Sequence, residues 1–179
     1  MMDEQDVIQL LRYYQHDLLN ELQIIQGYAS MNKIDKVKEK IAACVDVYNK
    51  ERQLMYLNSP KFALWLMKAQ HHQKNIGISY DLQLGQIDLS LIDQDMFDIG
   101  TCIVEHIKQH GNEFSLYELH IDMCFGFDKA HVIVSWQITG ELDDIEPLQS
   151  KLNHNFPQIL TNMQTNSNHV KCEFYFNVV

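Results

Sequence analysis

His16, Asp17 and Asn20 stand together in the stretch Tyr14-Gln15-His16-Asp17-Leu18-Leu19-Asn20-Glu21-Leu22-Gln23. An imidazole accepts a phosphoryl group on a ring nitrogen, and a neighbouring carboxylate that holds the other N–H fixes the tautomer and raises nucleophilicity. Asp17 is the candidate for that role. One residue along a helix is about 100° away, so its side chain must bend back to reach the ring. Asn20, one turn on, is spaced to hydrogen-bond either the carboxylate or a phosphoryl oxygen.

The element that must carry these residues is a helix. Val7, Leu11, Tyr14, Leu18, Leu22, Ile25 and Ala29 recur in steps of three and four, one apolar stripe over about residues 4–29. On a wheel of about 100° per residue, His16 falls roughly opposite that stripe, with Gln9, Arg12, Asn20 and Gln23 within about 40° of it. The histidine is therefore expected on a polar, solvent-facing strip. Met31-Asn32-Lys33 makes a short connection to a second helix whose apolar positions are Ile34, Val37, Ile41, Cys44, Val45, Tyr48 and Met55. Two amphipathic helices joined this way form an antiparallel hairpin that rarely buries both stripes by itself. Dimerisation into a four-helix bundle is the expected remedy, with the two copies of His16 on its outer faces.

The run His16-Asp17-Leu18-Leu19-Asn20-Glu21-Leu22-Gln23, followed by Ile25, Gly27 and a second helix, resembles the phosphoacceptor segment of the sporulation initiation phosphotransferase B family. The same His-Asp-x-x-Asn helix occurs in the phosphotransfer region of citrate- and fumarate-type sensor histidine kinases. The hairpin starting almost at the first residue, and the chain length, favour the stand-alone phosphotransferase. The resemblance implies a phosphorelay in which a response-regulator receiver domain donates an aspartyl phosphate to His16 and a second receiver accepts it. In that reading Asp17 and Asn20 assist His16, while Arg12, Gln23 and Gly27 form the docking strip. The receiver would bring Mg2+ and its acidic pocket, and the chain itself would need no cofactor.

Residues 58–179 read as a second domain after a helical domain 1–57. Ser59 suits an N-cap and Pro60 a first helical position, so a helix is predicted over about 60–73. Ile76 to Leu84 alternates as a strand, Asp93 to Gln109 is helical, and Leu119–Phe127 and Val132–Thr139 form a hairpin across Asp128-Lys129-Ala130-His131. A helix around Leu142–Asn153 and a last strand Val170–Val179 complete an α+β chain of two-layer type. This order is similar to the ATP-binding domain of histidine kinases. The chemistry differs: in the helix Asp98 to Ile107, Thr101 and Glu105 stand where that family has asparagines, and no Asp-x-Gly-x-Gly follows. The close pair of glycine-flanking phenylalanines, Phe125-Gly126-Phe127, falls inside a predicted strand. Between Gly111 and Leu119 there is no room for a nucleotide-covering loop. A degenerate kinase-ATPase-like sandwich that neither binds nor hydrolyses ATP is expected, which disfavours an autophosphorylating kinase.

Composition narrows the alternatives. With 14 basic against 24 acidic residues and a net charge of −10, a nucleic-acid backbone is a poor ligand, because phosphate binding is dominated by Lys and Arg. Met1 to Asp6 is acidic and polar, and no apolar run approaches the roughly 18 residues of a membrane span. A cytoplasmic protein is expected. Cys44, Cys102, Cys124 and Cys172 are scattered as reduced core thiols would be. His106 and His110 have i, i+4 spacing but no third ligand, so no metal site is assigned. His71-His72 and Asp143-Asp144 with Glu146 read as helix-end charges, and Phe174, Tyr175 and Phe176 as sheet residues. The alternative to a phosphotransferase is a catalytically silent dimeric scaffold that binds receivers or another regulatory protein.

Overall fold

A computed structural model describes residues 4–72, 75–127, 130–142, 144–166 and 168–178. The chain packs as two compact units, Met1–Arg52 and Gln53–Val179. Asp128, Lys129 and Asp143, to which the sequence assigns turn and helix-end roles, lie outside the described residues.

The first unit is a helical hairpin of α1 (Glu4–Ser30) and most of α2 (Ile34–Met55). Its turn is a Schellman closure. Asn32 takes a left-handed φ of 54°, while Lys33 N–H reaches Tyr28 O at 3.0 Å and Asn32 N–H reaches Ala29 O at 3.0 Å. Asparagine tolerates this conformation better than other non-glycine residues, so a helix stop exists where the sequence offers no Gly or Pro. Two sets of polar contacts pin the helices antiparallel. Lys40 Nζ meets Glu21 Oε2 at 2.6 Å, Cys44 Sγ donates to the same carboxylate at 3.5 Å, and Tyr14 Oη donates to Glu51 at 3.3 Å.

The second unit contains α3 (Pro60–His72), β1 (Ile76–Gln83), a 3-10 turn at Ser90–Ile92, α4 (Asp93–His110), β2 (Tyr117–Phe125), β3 (His131–Thr139), α5 (Glu146–Asn155), β4 (Leu160–Asn166) and β5 (His169–Asn177). The five strands form one sheet in the order β1-β2-β3-β5-β4. β1 runs parallel to β2, and the other neighbours are antiparallel. Alternation along β2, β3 and β5 sends Leu119, Ile121, Val134, Trp136, Cys172 and Phe174 into a core shared with Phe62, Leu66, Met96, Ile99, Ile103 and Leu152 of the helices. The helices thus cover one face, and the other is polar. Leu54 and Leu57, at and just past the end of α2, are buried in this same core.

Helix α3 is capped from outside its own sequence. The buried Asp93 carboxylate, at the start of α4, accepts Ser59 Oγ at 2.7 Å, Phe62 N–H at 2.9 Å and Lys61 N–H at 3.1 Å. Between the two helices the Trp65 indole lies where a Cβ on Gly100 would come within 2.5 Å of it, so Gly100 serves helix packing.

Several boundaries differ from the sequence reading. The helix expected over 142–153 begins at Glu146, because Leu142 is drawn into a bridge with Gly111. Pro147 then sits in the first turn, where its missing N–H costs nothing. Asp144 precedes the helix and accepts Glu146 N–H at 3.2 Å. β2 starts two residues early, with Tyr117 paired to Ile76, and stops at Phe125. Gly126 and Phe127 therefore lie beyond the strand, where Gly126 N–H bonds His131 O at 2.8 Å. β4 was not foreseen. Its Leu-Thr-Asn-Met-Gln-Thr-Asn run has little apolar alternation, as an edge strand with little buried surface permits.

All four cysteines are free, Cys102 and Cys172 buried and Cys44 and Cys124 half-buried. Burial pushes the Cys172 thiol up to about 12, far from reactive thiolate character.

Candidate functional site

His16 projects from the middle of α1 with its side chain 71% exposed. Asp17 does bend back, and its Oδ1 stands 3.0 Å from His16 Nδ1. Asn20 Nδ2 lies 3.3 Å from Nδ1 and 3.5 Å from Nε2 of the same ring. The shorter contact, to Asp17, sets the tautomer, and Asn20 Nδ2, itself a donor, then has only Nε2 as an acceptor on the ring. A carboxylate can only accept from the ring, so the proton sits on Nδ1, and the lone pair of the neutral imidazole falls on Nε2. Nε2 is the atom available to an incoming electrophile, with the Asn20 amide beside it.

The second helix leaves this face open. Tyr14 and Glu21, which hold α2, lie roughly 140–160° around α1 from His16. Arg12 and Gln23 are exposed one turn before and two turns after the histidine, and Gly27 is half-buried. A Cβ at Gly27 would meet nothing within 4 Å, so no packing within the chain demands glycine there. Leu19, which the sequence reading did not single out, is 57% exposed and lies about 60° from His16 around the helix. It falls outside the apolar stripe, and its signal was an apolar residue breaking the three-and-four rhythm on the polar side.

The apolar stripe itself is uncovered. Val7, Leu11, Leu18 and Leu22 of α1 and Ile34, Ile41, Val45 and Tyr48 of α2 are each at least 42% exposed. Single exposed leucines are ordinary, but a continuous two-helix face of them marks an interaction surface.

In the second unit, Thr101 and Glu105 of α4 stand at the two positions compared with the kinase asparagines. Thr101 Oγ1 is buried without a hydrogen-bond partner among the described residues. Glu105 faces Lys151 of α5 at 3.8 Å. The connection from α4 to β2 is short and tied down: Asn112 N–H bonds Tyr117 Oη at 2.7 Å, Phe114 N–H bonds Asn112 Oδ1 at 2.9 Å, and Tyr117 Oη donates to Glu141 O at 2.8 Å. His106 and His110 stack at 4.4 Å between ring centroids, and the buried His106 Nε2 has no partner among the described residues.

The whole chain is similar to a blue-light-activated histidine kinase from Erythrobacter litoralis EL346, with a TM-score of 0.50 and 11% identity over 99% of this chain and 61% of that one. A likeness also exists to the catalytic domain of histidine kinase ThkA, at a TM-score of 0.45 and 14% identity over 70% of this chain and 92% of that one. Residues 1–58 match the family described as sensor kinase SpoOB-type, alpha-helical domain. The fold is thus that of a histidine-kinase-type α+β chain, preceded by a hairpin that matches the SpoOB-type helical domain. The chain is 34% identical over 92 residues, 51% of its length, to sporulation initiation phosphotransferase B of Bacillus subtilis (strain 168). That match spans 47% of the Bacillus protein, about half its length. The chain is thus similar to sporulation initiation phosphotransferase B over about half of its length. Among the described residues no helix is long and apolar enough to cross a membrane.

Proposed function

We propose that the chain is a homodimeric histidine phosphotransferase that relays a phosphoryl group between response-regulator receiver domains through His16. The observation that carries the reading is the exposed imidazole whose Nδ1 is held by Asp17 at 3.0 Å, leaving Nε2 as nucleophile. The Nε2 lone pair attacks the phosphorus of a receiver's aspartyl phosphate in line, the P–O bond to the aspartate breaks, and the aspartate leaves as a carboxylate. The ring becomes cationic while Nδ1 keeps its proton, so the Asp17 carboxylate stabilises the product. Asn20 Nδ2, already beside Nε2, donates to a phosphoryl oxygen. Return of the group to a second receiver's aspartate reverses these steps.

Phosphoryl transfer depends on positioning and charge neutralisation more than on covalent chemistry. A rigid helix face suffices on this side, and the receiver supplies Mg2+ and the acceptor pocket. Arg12, Gln23 and Gly27, with Leu19, form the docking strip around His16. The exposed stripe of both helices is covered by the same stripe of a second copy, giving a four-helix bundle that keeps both histidines outward.

The test is phosphate transfer from receiver domains charged with acetyl phosphate, with acid lability as the signature of an N–P bond. The expected result is acid-labile label on the wild type and none on His16→Ala. A folded dimer that takes no label from any receiver, yet binds one, would replace this reading with a silent scaffold.

A further inference from the structure

The open face of the sheet gathers a histidine and two carboxylates, Asp81, His120 and Asp122. The geometry points to a divalent transition-metal site, of the zinc class, formed by Asp81, His120 and Asp122. Asp81 on β1 and Asp122 on β2 are direct partners in the parallel register, and His120 is two residues before Asp122 on the same face. His120 Nε2 lies 3.2 Å from Asp122 Oδ1 and 3.7 Å from Asp81 Oδ2. All three ligand atoms fall within 4.8 Å of one another. Zinc bonds of about 2.0–2.2 Å to nitrogen and oxygen set tetrahedral edges of about 3.3 Å, so small side-chain rotations close the triangle.

Residues outside the triad orient it. Ser79 Oγ is 2.7 Å from His120 Nδ1; a hydroxyl donates or accepts, so when a metal replaces the proton that Nε2 gives to the carboxylate, Nδ1 keeps a proton by donating to Ser79. Gln137 Nε2 donates to Asp122 Oδ2 at 2.8 Å, which turns Oδ1 to the centre. The Lys171 ammonium, which feels the Asp122 charge, is engaged by Glu173 at 2.8 Å. Such outer contacts fix the ring and carboxylate of metal sites. One imidazole and two carboxylates are the donors of borderline first-row ions, unlike the all-oxygen sets of calcium or magnesium. The ligands are half-buried, so a position on the ion stays open to solvent. Binding would staple the edge strand β1 to β2.

Sequence reading assigned no metal because Asp81 is about forty positions from His120 and Asp122 and meets them only through a parallel pairing that no local pattern predicts. The experiment is calorimetric titration of the full chain with ZnCl2, together with hydrogen exchange of the β1 amides. Expected are one saturable site per chain, affinity lowered at least about tenfold in both His120→Ala and Asp122→Asn and unchanged in His110→Ala, and slower exchange over 76–83 with zinc in the wild type alone. Absence of saturable binding, or affinity retained within tenfold in either of the first two variants, overturns the site and leaves a hydrogen-bonded surface cluster. Neither result depends on whether His16 carries phosphate.

Discussion

Asp17 and His16 are both largely exposed, which bounds what their contact contributes. A pair in solvent is worth roughly 0.2–1 kcal/mol, and about 1.4 kcal/mol corresponds to a factor of ten in rate. Asp17→Asn is therefore expected to slow phosphate transfer to His16 about fivefold, since the amide can pair with Nδ1 as donor or acceptor and no longer fixes the tautomer. Rapid-quench measurement of transfer from a charged receiver checks this, and an unchanged rate would remove Asp17 from the mechanism. At this scale the sequence was informative. The adjacency of His16 and Asp17 and the four-residue step to Asn20 are properties of a single helix, so their meeting needs no tertiary contact. Leu19 was overlooked because one apolar residue on a polar face has no periodic signal.

Two predictions belong to the elements. The stripe through Leu18 and Leu22 is uncovered along one hairpin, so placing carboxylates there with Leu18→Glu and Leu22→Glu should yield a monomer with helix content intact. Sedimentation equilibrium beside circular dichroism reads both, and a dimer that persists would move the interface elsewhere. In α3, removing the cap with Asp93→Ala leaves two backbone N–H groups and the Ser59 hydroxyl without their acceptor. Unsatisfied buried polar groups cost about 1–3 kcal/mol each, and partial access of water to the helix end keeps the total near the lower end. A loss of about 2–3 kcal/mol in urea denaturation is expected. Ser59 and Pro60 announced this helix start in the sequence, whereas its acceptor arrives from a residue 34 positions away. Likewise β4 escaped notice because an edge strand with one neighbour needs little apolar alternation.

For the molecule as a whole, His106 links stability to pH. Burial first, and then the neighbouring His110, hold its pKa below the ordinary 6.5. The unfolded chain binds this proton near pH 6.5 while the folded chain does not. Stability is then independent of this group above about pH 7 and declines as pH falls through 6.5 towards the folded value, because the unfolded state takes up more protons. Replacing the imidazole with a neutral amide, His106→Gln, should flatten the Tm profile between about pH 5 and 7 relative to wild type. Thermal melts across that range decide it, and parallel profiles for the two proteins would dissociate His106 from the acid response.

Local periodicity determined most of what could be read from the amino acids alone. Both hairpin helices, α3, α4, the β2–β3 pair and the last strand follow from three-and-four or alternating spacing with caps, and the exposed histidine follows from its angle to the apolar stripe. These are short-range consequences of backbone geometry. Tertiary structure alone decided what depends on register and distant partners. It set the parallel pairing that joins Asp81 to His120 and Asp122, the reach of Asp93 to the end of α3, and the burial of Leu54 and Leu57 with the second unit. It also set the start of α5 after Leu142 joined Gly111. Each rests on residues brought together by closing long loops, for which no local spacing carries a signal.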